Sequence, residues 1–325
     1  MASLGGWQIA PSRQPKPADY DYDLDGALAS IVALRTIVPD DAFTAETLGT
    51  ERGGHGVVIR DGIILTIGYI ITEATEVWIS PADGPVVPGH PLAYDQASGF
   101  GLVQALGHLG LPSLPLGSSS AAQSGMRVVV GGAGGRKRSI AARITAKQEF
   151  AGYWEYVLDE AIFTAPAHPF WGGAALIGPA GDLIGIGSLQ VEQKNERGGT
   201  VNLNMMVPID ILKPILPVLL KHGRARGPAR AWLGLFATEL EGKVLAVGVY
   251  GGGPADEAGL RPGDAVLAVA GKAVGGLADF FRKVWALGPA GTPVPLSIFR
   301  DGKTLDVRVA SADREAFLWK PRLHS

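Results

Sequence analysis

Between residues 27 and 207 the apolar positions come in short runs separated by turn residues, with no long stretch at helical spacing. Residues 56–60, then Asp61-Gly62, then Ile63–Ile67 predict a β-hairpin, because Asp-Gly accepts the positive φ of a two-residue turn. Further strands are predicted over 76–80, 101–106, 126–131, 140–145 and 156–164. A second hairpin joins 174–177 to 183–189 across the turn Pro179-Ala180-Gly181-Asp182. Many short strands without intervening long helices predict a barrel or a sandwich. Over 208–222 the period changes: Ile209, Leu212, Ile215, Leu216 and Leu219 share one helical face behind Pro208, while Pro214 and Pro217 bend the helix or split it in two.

Residues 223–229 are polar, basic and glycine-containing, and read as a linker. Beyond them the pattern is mixed. Strands are predicted over 231–238, 243–249 and 265–269, a helical turn over 254–260, an amphipathic helix over 277–287, and a hairpin of 294–300 with 304–309 across Asp301-Gly302. The expected organisation is a flexible, proline-broken segment 1–24, a mainly β domain 25–222, the linker, an α+β module 230–312 and a tail 313–325.

Composition narrows the function classes. Forty-six of the 325 residues are glycine, about twice the usual share of roughly 7%, as a tightly turned β protein requires. The net charge is −2, and the tight basic runs, 136–138 and 224–226, are too short for a nucleic-acid footprint. There is no cysteine, which removes disulfides, thiolate metal sites and a cysteine nucleophile. The first 20 residues lack a basic start followed by an apolar core, so the chain as written is expected in the cytoplasm; a start further upstream with an apolar leader would place it in the periplasm. No apolar run approaches the roughly 20 residues of a membrane-spanning helix. Nothing in the pattern asks for a cofactor.

The stretch PADEAGLRPGDAVLAVAGKAV (254–274) resembles the central signature of PDZ domains, in the form usual for bacterial HtrA proteases. Within the same module AWLGL (231–235) resembles the carboxylate-binding loop, in which consecutive backbone N–H groups converge on a peptide's terminal carboxylate. The resemblance implies that Trp232, Leu233, Gly234 and Leu235 bind a peptide or protein C-terminus. It also implies a groove between the following strand and the helix over 277–287, with Phe281, Val284 and Trp285 as its apolar wall; the bland alternative for these three is ordinary core.

The larger domain resembles the protease of the same HtrA (DegP-like) family, a trypsin-like double β-barrel. GGHGVVIRDGIILTIGYIITEATEVWIS (53–80) is similar to the segment leading to the catalytic histidine, GLVQAL (101–106) to the strand carrying the aspartate, and PFWGGAALIGPAGDLIGIGSL (169–189) to the segment around the nucleophile. Residue by residue, the position of the histidine holds Tyr69, that of the aspartate Gly101 and that of the serine Trp171. Tyrosine, with a pKa near 10, is a poor base at neutral pH, glycine cannot orient an imidazolium, and indole is no nucleophile. Pro169 stands where the resemblance implies an N–H donor to the oxyanion, and has none to give; one such donor is worth about 2.7–4 kcal/mol.

A relocated site would have to draw on His55, His90, His108, His168, Asp95, Ser118 to Ser120 or Ser188, and no activating motif surrounds these serines. Nor do the histidines show metal-ligand spacing, so no metal site is expected. Trp171 either fills the vacated pocket or stands exposed as an anchor for peptide; filling is the expectation. The resulting reading is a catalytically inactive HtrA-like homologue that binds peptides or protein C-termini, as a scaffold, a chaperone-like holder or a regulator of an active relative. Homo-oligomerisation through the N-terminal segment, with Phe43 as a contact, is implied by the resemblance alone. The alternative is an active serine endopeptidase with a relocated catalytic site.

Overall fold

The short apolar runs close into two six-stranded barrels, followed by a separate sheet, in a computed structural model that describes residues 7–194 and 198–319. The first barrel contains β1 (Ile31–Ile37), β2 (Glu51–Arg60), β3 (Ile63–Ile67), β4 (Glu76–Ser80), β5 (Val87–Tyr94) and β6 (Phe100–Ala105), in the order β1-β2-β3-β6-β5-β4. The second contains β7 (Arg127–Gly131), β8 (Ile140–Gly152), β9 (Tyr156–Ala165), β10 (Ala175–Ile177), β11 (Leu183–Lys194) and β12 (Thr200–Pro208), in the order β10-β11-β12-β9-β8-β7. Closure leaves neither sheet with an edge, and residues such as Ile64, Leu65 and Phe100 in one barrel and Val130, Leu176 and Met206 in the other are fully buried.

Backbone contacts divide the chain into two compact units: residues to 148 with 160–225 and the chain from 319, and residues 149–159 with 226–318. This corrects the expected boundaries, because the tip of the β8–β9 hairpin belongs with the C-terminal module. Strand β8 runs to Gly152, well past the predicted 145.

Two other expectations change. The segment to residue 24 is not free from Trp7 onward: Ile9 is buried with Val128, Ile140 and Ile184, and its N–H donates to the carbonyl of Lys137 at 2.9 Å. Prolines 11 and 17 exclude an α-helix there and open short 3-10 turns instead, without preventing apolar burial. The run over 208–222 ends a strand at Pro208, makes a 3-10 turn Ile209–Ile211 and resumes as a helix Leu216–His222, so its prolines split it.

The second unit holds β13 (Leu235–Leu240), β14 (Lys243–Val249), β15 (Ala265–Val269), β16 (Lys272–Ala273), β17 (Pro293–Arg300) and β18 (Lys303–Ala310), in the order β13-β14-β15-β17-β18 with β16 paired to β15. Strand β13 is therefore an edge. The helix Leu277–Ala286 turns Leu277, Phe280, Phe281 and Val284 into the core that also holds Leu296 and Ile298. The tail is ordered as far as it is described: Phe317 packs on Trp232 with ring centroids 4.9 Å apart, and residues 320–325 lie outside the described residues. The fold is mainly β, a trypsin-like double barrel and an α+β PDZ module.

Candidate functional site

The three positions expected to hold base, acid and nucleophile do come together in the first unit. Tyr69 opens the single helical turn Gly68–Ile71 directly after β3. That turn starts only because residue 68 is glycine: a β-carbon there would fall 2.2 Å from the ring of Tyr94. Gly101 pairs with Thr66 across β3 and β6, and a β-carbon at 101 would lie 3.0 Å from the Cα of Gly68. Trp171 sits in the turn before β10, and the N–H of Ala174 closes that turn onto its carbonyl.

Tyr69 and Trp171 are joined through neutral hydrogen bonds. Tyr69 Oη donates to the carbonyl of Ser188 at 2.9 Å and accepts from the indole of Trp171. Burial raises the Tyr69 pKa well above its ordinary value, and the indole N–H offsets this only in part. The phenol is thus a weaker acid here than in water and stays protonated at neutral pH, where it has no phenolate to act as a base. Trp171 is half-buried, neither sealed in nor fully exposed. A β-carbon on Gly172 would lie 2.7 Å from Tyr69 Oη, so the phenol fills the space beside Gly172.

The loop over 168–173 is fixed from inside. His55, on β2 and fully buried, donates Nε2–H to the carbonyl of Phe170 at 3.1 Å and accepts the N–H of Ala133 on Nδ1 at 3.1 Å. His168 is fully buried beside it, ring centroids 5.8 Å apart; its Nε2 donates to the carbonyl of Arg138 at 2.8 Å and its Nδ1 accepts the N–H of Phe170 at 3.1 Å. Burial, then the neighbouring His168, pushes the His55 pKa down to about 3, and burial also lowers that of His168. Both rings stay neutral and spend their nitrogens on backbone. Trp7 covers the same loop from outside, its ring 4.4 Å from that of Phe170. Pro169 is exposed on this loop and offers no N–H.

The other candidates lie elsewhere. His90 and His108 are exposed. Asp95 accepts the N–H and hydroxyl of Ser98 at 2.8 and 2.5 Å. Ser118, Ser119 and Ser120 surround Asp210, whose pKa is held at about 2: burial would raise it, but Lys213 and the serine loop outweigh burial. Ser188 is buried with its carbonyl committed to Tyr69. Among the described residues no three His, Cys, Asp or Glu side chains group as metal ligands.

In the second unit three of the four loop residues converge on one acceptor. The N–H groups of Leu233, Gly234 and Leu235 donate to Glu155 Oε1 at 3.1, 2.8 and 3.1 Å, and Leu233 also reaches Oε2 at 3.0 Å. Gly234 adopts φ +72°, the left-handed conformation that turns successive N–H groups to one side. Trp232 does not join them: its N–H pairs with the carbonyl of Ala312, and its ring is buried against Tyr250 and Phe317. Phe281 and Val284 are fully buried in the module's core, while Trp285 is half-buried under the guanidinium of Arg230, 4.1 Å from the ring. Sequence reasoning missed Glu155 altogether. A single glutamate in a hairpin tip carries no motif.

Comparison with known proteins follows the same division. A trypsin-like peptidase domain model matches residues 54–186, and a PDZ domain model matches 231–310. A probable periplasmic serine endoprotease DegP-like from Pseudomonas fluorescens is 28% identical over 270 residues, covering 79% of this chain and 55% of its own length. The periplasmic serine endoprotease DegP of Escherichia coli is 23% identical over 276 residues, covering 79% and 56%. The chain thus spans a little over half the length of these relatives. Among solved structures, the HtrA-type protease AlgW with decapeptide matches 93% of this chain and 100% of its own, with 18% identity and a TM-score of 0.53. The serine endoprotease from Yersinia pestis matches 90% and 98%, with 19% identity and a TM-score of 0.50. These two show the fold. With a trypsin-like peptidase domain and a PDZ domain in this order, and DegP-like relatives along four-fifths of its length, the chain belongs to the HtrA/DegP-like family.

Proposed function

We propose that this chain is a catalytically inactive member of its family, which engages peptides or protein C-termini through its PDZ module and acts as a scaffold, holder or regulator. The observation that carries the reading is the hydrogen bonding of Tyr69 to Ser188 and Trp171, at the positions where a base and a nucleophile would stand. A base must accept a proton near neutral pH, and a nucleophile must carry a lone pair on an activated O, S or N. Neither group does. Gly101 leaves an imidazolium with no carboxylate partner, and Pro169 removes one oxyanion donor.

Peptide binding is supported by the N–H groups of Leu233, Gly234 and Leu235, which already hold a carboxylate. The AlgW structure, described as being with decapeptide, lends the same reading by likeness of fold. An active family member or a second copy of this chain is the proposed larger partner, and the periplasm named for the relatives is the proposed compartment.

The names of the relatives favour the other reading, an active serine endopeptidase. It needs a serine hydroxyl on an imidazole, and His55 and His168 both give their nitrogens to backbone. Incubation of the purified chain with unfolded casein separates the two. The expected result is no fragment above a buffer control after a day; fragments that disappear with a serine-protease inhibitor would overturn the proposal.

A further inference from the structure

We infer that the peptide-binding loop of the PDZ module carries an internal ligand, the hairpin tip Glu149–Asp159 of the same unit, with the side chain of Glu155 standing in for a terminal carboxylate. The inference rests on the peptide-binding reading given above and adds that the site is self-occupied, so a protein C-terminus binds by displacing the tip.

Three observations in the second unit agree. The Glu155 carboxylate takes all three loop donors and is buried. Two residues before it, the carbonyl of Tyr153 accepts the N–H of Ala237, two residues beyond Leu235, at 2.9 Å. One backbone hydrogen bond thus joins the tip to β13, the open edge of the sheet, with the tip's carboxylate at the loop. On the far side Arg282, on the helix Leu277–Ala286, pairs with Glu149 and Asp159 at the two sides of the tip, and Ala151 and Val157 pack on the module's core. Strand edge, loop and helix are the three walls of a peptide groove, and the tip touches each.

The backbone adds a fourth point. Glu155 has φ +61°, a conformation that glycine adopts freely and glutamate does not. A hairpin selected only to turn would place glycine or asparagine there. Glutamate at this position is explained by what its carboxylate holds. Burial pushes its pKa up to about 7, against the three N–H bonds and the charge of Arg314, so desolvation opposes the charged carboxylate that the loop holds.

The test uses the full chain, Glu155→Gly, which removes the carboxylate and relieves the backbone, and Glu155→Gln, which keeps the side-chain shape and a neutral acceptor. Two readouts are taken: hydrogen exchange of the Leu233–Leu235 amides, and binding of a fluorescein-labelled decapeptide ending in valine, as free acid and as C-terminal amide. The expected outcome is at least ten-fold faster amide exchange in Glu155→Gly, an intermediate rate in Glu155→Gln, and at least ten-fold tighter binding of the free acid to Glu155→Gly than to the wild type, with little binding of the amide. Equal exchange in wild type and Glu155→Gly overturns the internal ligand, as does equal, tight binding of the free acid to both. Faster exchange in Glu155→Gly with no peptide bound by any variant upholds the internal ligand and sinks the peptide-binding reading instead.

Discussion

Gly101 packs so closely on Ile71 that a β-carbon at 101 would fall 2.8 Å from the isoleucine Cδ1, and 3.0 Å from the Cα of Gly68. The isoleucine tip can turn aside; the backbone at 68 is fixed by the hydrogen bond of its N–H to Gly99 and by the ring of Tyr94. The packing of β6 on the Tyr69 turn therefore leaves little room for any side chain at 101, in keeping with the proposed absence of an acid there. Gly101→Asp is expected to destabilise the first unit by about 2–4 kcal/mol, from overpacking plus an unpaired buried carboxylate. Urea unfolding followed by far-UV circular dichroism measures it; an unchanged midpoint would mean that the site keeps room for the acid.

On the proposed reading, installing His, Asp and Ser at 69, 101 and 171 does not by itself supply chemistry. In Tyr69→His/Gly101→Asp/Trp171→Ser the oxyanion side still lacks the N–H of residue 169, and the Phe170 carbonyl remains held by His55. Casein turnover by this triple variant is expected at background. Adding Pro169→Gly is expected to raise it by about a hundred-fold, the usual worth of one oxyanion donor. Initial rates on folded, monodisperse protein decide the matter, and a triple variant as fast as the quadruple one would remove Pro169 from the account.

His55 ties stability to pH. Its pKa is about 3 in the folded chain, against an ordinary value near 6.5, so between these values the unfolded chain binds a proton that the folded chain does not. Its contribution is complete above pH 6.5 and is lost as pH falls toward 3, about 2 kcal/mol by pH 5. Replacing it with glutamine keeps a donor and an acceptor but no titration. The wild type is expected to lose more stability than His55→Gln between pH 7 and pH 5; parallel losses would place the imidazole in solvent.

Asp264, almost fully buried, accepts Nε and Nη2 of Arg300, each at 2.6 Å, and the N–H of Arg261 at 2.8 Å. Burial opposes its ionisation, but these hydrogen bonds win and hold its pKa below the ordinary value. Arg300→Met leaves that carboxylate without its fork and is expected to destabilise the second unit by about 2–4 kcal/mol. Differential scanning calorimetry of the full chain reads the shift of that unit's transition, and no shift would show the pair to be solvent-screened.

The hairpins turning on Asp61-Gly62, Pro179–Asp182 and Asp301-Gly302 were legible because turn chemistry is local. Strand β5, Val-Pro-Gly-His-Pro-Leu-Ala-Tyr, was not, since two prolines and a glycine hide its pairing, which β4 and β6 impose from either side. Burial of Ile9 was likewise invisible, because prolines forbid a helix but say nothing about what a neighbouring barrel can cover. The proposal for positions 69, 101, 169 and 171 rests on their motif frames, which are local in sequence. Glu155 lies 78 residues from Leu233, and only folding brings the carboxylate to its donors.

The central claim is that nothing in the first unit activates a nucleophile, and intact-mass spectrometry after incubation with a fluorophosphonate probe tests it most directly. The account predicts an unchanged mass, with trypsin labelled in parallel as a positive control. A single added phosphonyl group mapped to one serine, and lost after heat denaturation before labelling, would contradict it.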